Sequence, residues 1–139
     1  MSVAGGILAR LKATSAVTDI VGSGSSARIY AMHLPQKPTL EAVVFQKVST
    51  PEVVHAFGTD SGLVEERWQV SAWAKTFAEA KTLAAAVKTA LSRFRGTSDS
   101  TVFQGILHDG GADFDEEPVD EDTSRVYRSQ HDYLIWYEE

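Results

Sequence analysis

Residues 68–94 read WQVSAWAKTFAEAKTLAAAVKTALSRF, and the apolar period changes midway through this stretch. Trp68, Val70 and Ala72 recur at every second position, as a strand with one buried face requires. From Phe77 onward, Ala80, Leu83, Ala84, Val87, Leu91 and Phe94 recur at three- and four-residue steps and share one helical stripe. Thr76 stands at the junction as an N-cap, and Glu79 three positions on completes a capping box. Gly96 occupies the place of a left-handed residue that ends a helix. The pattern predicts a strand over 63–75 passing through a very short connection into a helix over 76–95. That helix would be about 30 Å long at ~1.5 Å per residue.

Working outward, residues 1–22 read as helix through Ile7, Leu8, Leu11, Val17, Ile20 and Val21. A break is expected at Thr14-Ser15, with Ser15 or Thr18 as the local cap. The run GSGSS at 22–26 stops the helix as a turn. Residues 28–32 form a short extended piece halted by Pro35 and Pro38, and EAVVFQKVS at 41–49 is rich in β-branched and aromatic residues, as strands are. Residues 51–62 read as a loop of about a dozen residues, long for a hairpin connection. Beyond the central helix, 97–100 is a polar linker, 101–109 a strand and 123–138 a last long strand. That strand puts Tyr127, Tyr133, Ile135 and Tyr137 on one face and Val126, Leu134 and Trp136 on the other.

The predicted order is helix, strand, strand, strand, helix, strand, strand. Short links between successive strands favour antiparallel pairing. The expected class is therefore α+β: an antiparallel sheet with helices packed on one face, built by residues 1–139 as a single domain. Ile7, Leu8 and Leu11 would pack beside the Phe77–Phe94 stripe. The other side of the central helix carries Ala78, Thr82, Ala85, Ala86 and Thr89. Small residues there admit a close neighbour, either the first helix or another subunit. Equally, alanine is the best helix former and needs no such reason.

The 139 residues suffice for a proper core. An ordinary soluble globular composition is indicated by 43% hydrophobic and 23% charged residues. No apolar run approaches the ~18 residues of a membrane span, so no membrane partner is expected. The start, MSVAGGILARLKATSAV, lacks a basic segment followed by a continuous apolar block, so a signal peptide is not expected. Zero cysteines exclude disulfides, thiolate metal sites and a cysteine nucleophile, in agreement with synthesis in a cytoplasm.

Charge is concentrated. Residues 109–122 hold Asp109, Asp113, Asp115, Glu116, Glu117, Asp120, Glu121 and Asp122 without a Lys or Arg. Setting these eight aside from 19 acidic residues leaves 11 against 13 basic ones, a near-neutral body with one anionic loop. A basic stripe for gripping nucleic acid is missing. Clustered carboxylates suit calcium, but the glycines come first and Pro118 interrupts the acids, so the twelve-residue calcium loop is not met. A solvated loop is the plain reading. If gathered around a symmetry axis, such loops would line a pore that repels phosphates and lets DNA slide.

Catalytic chemistry finds little footing. His33, His55, His108 and His131 are scattered without metal-ligand spacing. The GSGSS turn lacks the lysine of a phosphate loop and the elbow pattern of a hydrolase serine. Trp68, Trp73, Trp136 and the four tyrosines have no basic groove around them, so core and subunit packing account for them better than base stacking. No cofactor is expected.

Four stretches together resemble the tail-completion (tail terminator, tail-to-head joining) family of long-tailed phages and prophages. They are Arg28-Ile-Tyr with Leu34-Pro35; Val43-Val-Phe-Gln-Lys-Val-Ser49; Trp68-Gln-Val-Ser-Ala-Trp73 followed by Thr76-Phe-Ala-Glu-Ala-Lys81; and Arg125-Val-Tyr-Arg128 with Asp132-Tyr-Leu-Ile-Trp-Tyr137. The resemblance spans nearly the whole chain in order and spacing, although the acidic loop is longer and more negative than the family pattern. It implies a structural protein of the virion, made in the bacterial cytoplasm, and not an enzyme. It also implies a hexameric ring that caps the tail tube and meets the head connector, with DNA passing through its lumen without specific binding. Its partners would be copies of itself, the tail tube protein and head-completion proteins. A neck adaptor on the portal side is the alternative; a small α+β enzyme is a third. Within the ring reading, 51–62 with Val53, Val54, His55 and Phe57 is the candidate docking loop. Asp113, Asp115, Glu116, Glu117, Asp120, Glu121 and Asp122 form the candidate lumen or partner-facing loop.

Overall fold

The computed structural model describes residues 3–35, 40–49, 52–56, 59–116 and 126–138. Helices α1 (Val3–Ala13) and α2 (Ser15–Val21) come first. Strands β1 (Ile29–Ala31), β2 (Ala42–Lys47), β3 (Glu52–Ala56) and β4 (Thr59–Ala74) follow. Helix α3 (Phe77–Leu91) leads to β5 (Gly96–Ser98), β6 (Thr101–Glu116) and β7 (Val126–Glu138). The strands lie in the order β1-β2-β4-β7-β6-β5, with β3 paired to β4, and the class is α+β as the sequence pattern predicts.

The helical break falls where expected, but its chemistry differs. Thr14, with extended backbone, is the N-cap of α2 and makes no side-chain cap bond there. Its hydroxyl instead donates to Arg10 O at 3.0 Å, closing the end of α1. Thr18 donates back to Ser15 O at 3.4 Å, so neither Ser15 nor Thr18 is the cap. After Gly22 (φ 90), Arg28 ties three elements together. Its Nε donates to Glu41 O at 2.7 Å and its Nη2 to Ile20 O at 2.9 Å, where a cation also suits the C-terminal end of a helix.

Strand β1 runs parallel to β2, pairing Ile29 with Val43, against the antiparallel expectation for neighbouring strands. The residues between them are numerous enough to carry the chain back to the same end. All other pairings are antiparallel. One edge of β4 receives β2 along 68–73 and β3 along 59–65, while the other edge receives β7 along 63–74. Among the described residues of 51–62 the loop expected from sequence is replaced by strand: β3 and the start of β4 pair antiparallel.

The N-cap of α3 is as predicted, Thr76 Oγ1 accepting from Glu79 N at 3.2 Å. The C-terminus is not. The helix stops at Leu91, Arg93 takes the positive φ (64°), and Gly96 (φ 142°) already opens β5. The expected linker at 97–100 is the end of β5 and a tight turn in which Asp99 and Ser100 both have positive φ. Two such residues suit the right-handed twist of a hairpin.

Leu83, Ala84, Val87, Ala90 and Leu91 bury one face of α3 against Val43, Phe45, Trp68, Val70, Phe103, Ile106, Tyr133 and Ile135 of the sheet, and Ala80 is buried as well. Ile7 and Leu11 of α1 and Val17 and Val21 of α2 fill the remainder. Phe77 departs from the stripe: it is 51% exposed and meets Tyr127 edge-on. On the opposite side Ala78, Thr82, Ala85 and Thr89 are exposed, whereas Ala86 is buried. Arg10 fastens α1 to the end of α3, donating to Ala90 O at 2.8 Å and lying over the Phe94 ring.

Candidate functional site

The strand registers place two ribbons at opposite ends of one sheet. Pairing between β4 and β7 runs from Leu63 with Glu138 to Ala74 with Tyr127. Because β4 starts at Thr59, its first residues pair with β3 alone and form a two-stranded arm beyond the end of β7. At the other end β6 and β7 remain paired as far as Glu116 with Val126, beside the start of α3. At ~3.3 Å per residue, the stretch from Leu63 to Ala74 separates the two ends by roughly 35–40 Å.

The expected docking residues divide accordingly. Val53, Val54 and His55 sit on β3, opposite Val64, Leu63 and Asp60, with a register shift between Val54 and His55. Phe57 lies outside the described residues. The acidic stretch is expected to be loop after Asp109, yet β6 continues through Asp113, Asp115 and Glu116. Glu117, Asp120, Glu121 and Asp122 lie outside the described residues. Several acids are structurally engaged. Arg67 bridges Asp109 and Asp132, and these carboxylates raise its already high pKa. Asp113 meets Lys81 of α3 at 3.1 Å.

Asp113 also anchors a polar chain that the sequence pattern did not disclose. Ser129 Oγ donates to Asp113 Oδ1 at 2.8 Å and contacts His131 Nε2 at 3.1 Å. His131 Nδ1 meets His108 Nε2 at 2.7 Å. Directions follow from proton counting. A carboxylate only accepts, so the single hydroxyl proton of Ser129 goes to Asp113 and Ser129 accepts from His131 Nε2–H. A neutral His131 carrying its proton there leaves Nδ1 as acceptor, which makes His108 Nε2–H the donor.

The hydrogen bond from Ser129, then Lys81, holds the Asp113 carboxyl below its ordinary pKa. Burial lowers both imidazoles; the neighbouring Lys88 and, for His131, the His108 ring push the same way. Tyr133, fully buried beside His108, is raised by burial, and its hydroxyl has no hydrogen-bond partner among the described residues. With Ser129 donating to a carboxylate and His131 donating to Ser129, the polarity is the reverse of an activated serine nucleophile.

This cluster depends on a bulge. The register of β6 against β7 shifts between His108 and Gly111. Gly110 has φ 87°, and a Cβ on Gly111 would sit 2.6 Å from His131 Nδ1. Bulges re-aim side chains, and here the bulge brings His108 over His131. The legible signals were Asp109-Gly110-Gly111 and the two-residue spacing of Ser129 and His131.

The sheet face away from the helices carries a second constellation. Arg128 lies between two rings, 5.3 Å from the centre of Trp73 and 4.6 Å from that of Phe114. Phe114 and Leu107 on this ribbon are 40% and 45% exposed. Trp68, by contrast, belongs to the core; its Nε1 donates at 2.8 Å to Glu66, a carboxylate only 4% exposed that also accepts from Tyr137 at 2.6 Å. Among the described residues no group of three or more potential metal ligands converges, and no helix is long and apolar enough to cross a membrane.

The class that the fold defines is α+β, one mostly antiparallel sheet with paired ribbons at both ends. Residues 5–138 match the family model described as Tail completion protein gp17, and the chain belongs to that family. It is a phage tail completion protein, a structural component and not an enzyme. Among solved structures, a chain from "Virion of native gene transfer agent (GTA) particle" shares its fold, with a TM-score of 0.74 and 17% identity. That alignment covers 99% of this chain and 96% of the other. No curated protein matches by sequence.

Proposed function

We propose that copies of this chain close into a hexameric ring that terminates the tail tube and joins it to the head connector. The observation that carries this reading is the placement of two separate ribbons at opposite ends of β4 and β7. A protomer so built offers one end to the tube and the other to the connector, leaving the sheet edges and the outer face of α3 for lateral contacts. Closed rings need such non-identical patches on each protomer. The structural relative comes from the virion of a gene transfer agent particle, which suits a place in a virion. The β3–β4 arm, with Val53, Val54, His55 and Phe57, is the docking element. The ribbon bearing Asp113, Asp115 and Glu116, with Glu117, Asp120, Glu121 and Asp122 beyond it, faces the lumen or a partner. There its negative field keeps passing DNA from sticking.

Light scattering coupled to size-exclusion chromatography, with and without tail tubes, tests the reading. Rings of six, free or on tube ends, support it. A chain that stays monomeric and ignores tubes overturns it, and capture by portal subunits instead of tube assigns it to the head side as a neck adaptor.

A further inference from the structure

The donor chain described above has a property that depends on how many protons it holds. With both imidazoles neutral it runs one way, from His108 to His131 to Ser129 to Asp113, and Lys81 closes the far end on α3. A first additional proton has a place: Nδ1 of His108, which the chain does not use. His108 then still donates from Nε2, and every bond survives. A second has none. It must enter at His131 Nδ1, turning the acceptor into a donor that faces another donor at 2.7 Å, with two cations in contact.

We propose that these five residues form a two-proton latch that holds the β6–β7 ribbon on α3 and releases it when the second imidazole is charged. The surrounding charges favour release. Lys81 and Lys88 of α3 face the pair, and both repel an added cation. Of the nearby acids, Asp113 on β6 is already held by Lys81 and Ser129. Asp109 on β6 and Asp132 on β7 are both taken by Arg67. Tyr133, the remaining titratable neighbour, is buried and stays neutral. Burial of the rings, which disfavours their charged forms, adds to the same tendency. The latch belongs to the protomer and requires no ring.

Amide hydrogen exchange of the full chain, corrected for the intrinsic rate at each pH, reads the latch. Below about pH 6.5, protection across 111–116 and 126–131 is expected to fall about tenfold per pH unit for each proton taken up on opening. Amides of α1 and β2 serve as the internal reference and should hold. His131→Asn is expected to make the ribbon's protection independent of pH. Should that variant lose reference protection as well, His108→Gln, whose amide can donate to the neutral His131 ring and, turned over, accept from the charged one, is expected to give the same flat profile. Wild-type protection that stays constant down to about pH 5, or a fall that persists in either folded variant, overturns the proposal. Imidazole nitrogen spectra at neutral pH should find both rings protonated at Nε2; a proton on His131 Nδ1 would refute the latch directly.

Discussion

A methyl carbon placed on Gly111 would lie 2.6 Å from Nδ1 of His131 and 2.8 Å from Gln130 O, so the bare backbone at Gly111 is what lets that imidazole lie across β6. Gly111→Ala should displace the ring, break its contact with His108 and lower stability by about 1–3 kcal/mol, as overpacking does. Urea unfolding of the two proteins measures this, and an unchanged midpoint would show that the bulge absorbs the methyl group.

The same imidazoles set a sign for pH. Both have folded-state values below the ordinary 6.5, so below that value the unfolded chain binds more protons than the folded one. Their contribution is full above about pH 6.5 and is lost as pH falls through the lowered folded values. Melting temperature measured stepwise from neutral pH downward should fall, and should fall less steeply in His131→Asn.

Gly6 is a second close approach. A Cβ there would lie 2.6 Å from the Phe103 ring, which is buried and packed against Phe94. Gly6→Ala should cost about 1–3 kcal/mol, and Phe103→Leu in the same chain should recover part of the loss. A double variant no more stable than the two losses added would argue that the ring is not the obstacle.

Leu83 is fully buried on the inner face of α3. Leu83→Ala should cost about 2–5 kcal/mol through the cavity it leaves, read by denaturant unfolding, and ring assembly should fail in proportion to the unfolded fraction.

The acidic residues should separate into two groups. Asp113→Asn removes the acceptor for both Lys81 and Ser129 and should lower the melting temperature. Neutralising Glu117, Asp120, Glu121 and Asp122 together should leave melting unchanged while impairing DNA passage through assembled particles. Normal DNA ejection by that quadruple variant would reduce the segment to a solubilising appendage.

Much of the architecture was legible because it rests on local chemistry. The change of period at Thr76 predicts both β4 and α3, and the cap bond from Glu79 N to Thr76 Oγ1 is the expected one. Alternation along β7 assigns Tyr133 and Ile135 to the core face and leaves Leu134 and Trp136 opposite. Where the reading failed, a distant partner overrode local signals. Val53 and Val54 lie in a segment whose Pro, Gly, Asp and Ser suggest loop, and they become strand by pairing with Val64 and Leu63. Asp113 and Asp115 continue β6 because β7 offers them Ser129 and Tyr127 as neighbours. Their charges argue for solvent only until Lys81 and Ser129 are brought alongside.

Sequence by itself determined the α+β class, the strand-to-helix junction and the faces of the long strands, since periodicity and capping act within a few residues. Tertiary structure alone decided that His108 and His131 meet, that Arg128 lies between Trp73 and Phe114, and that the two ribbons stand at opposite ends. Those relationships depend on strand register and on a bulge. Register is fixed by the summed packing of all paired strands, and no short stretch of chain carries that sum.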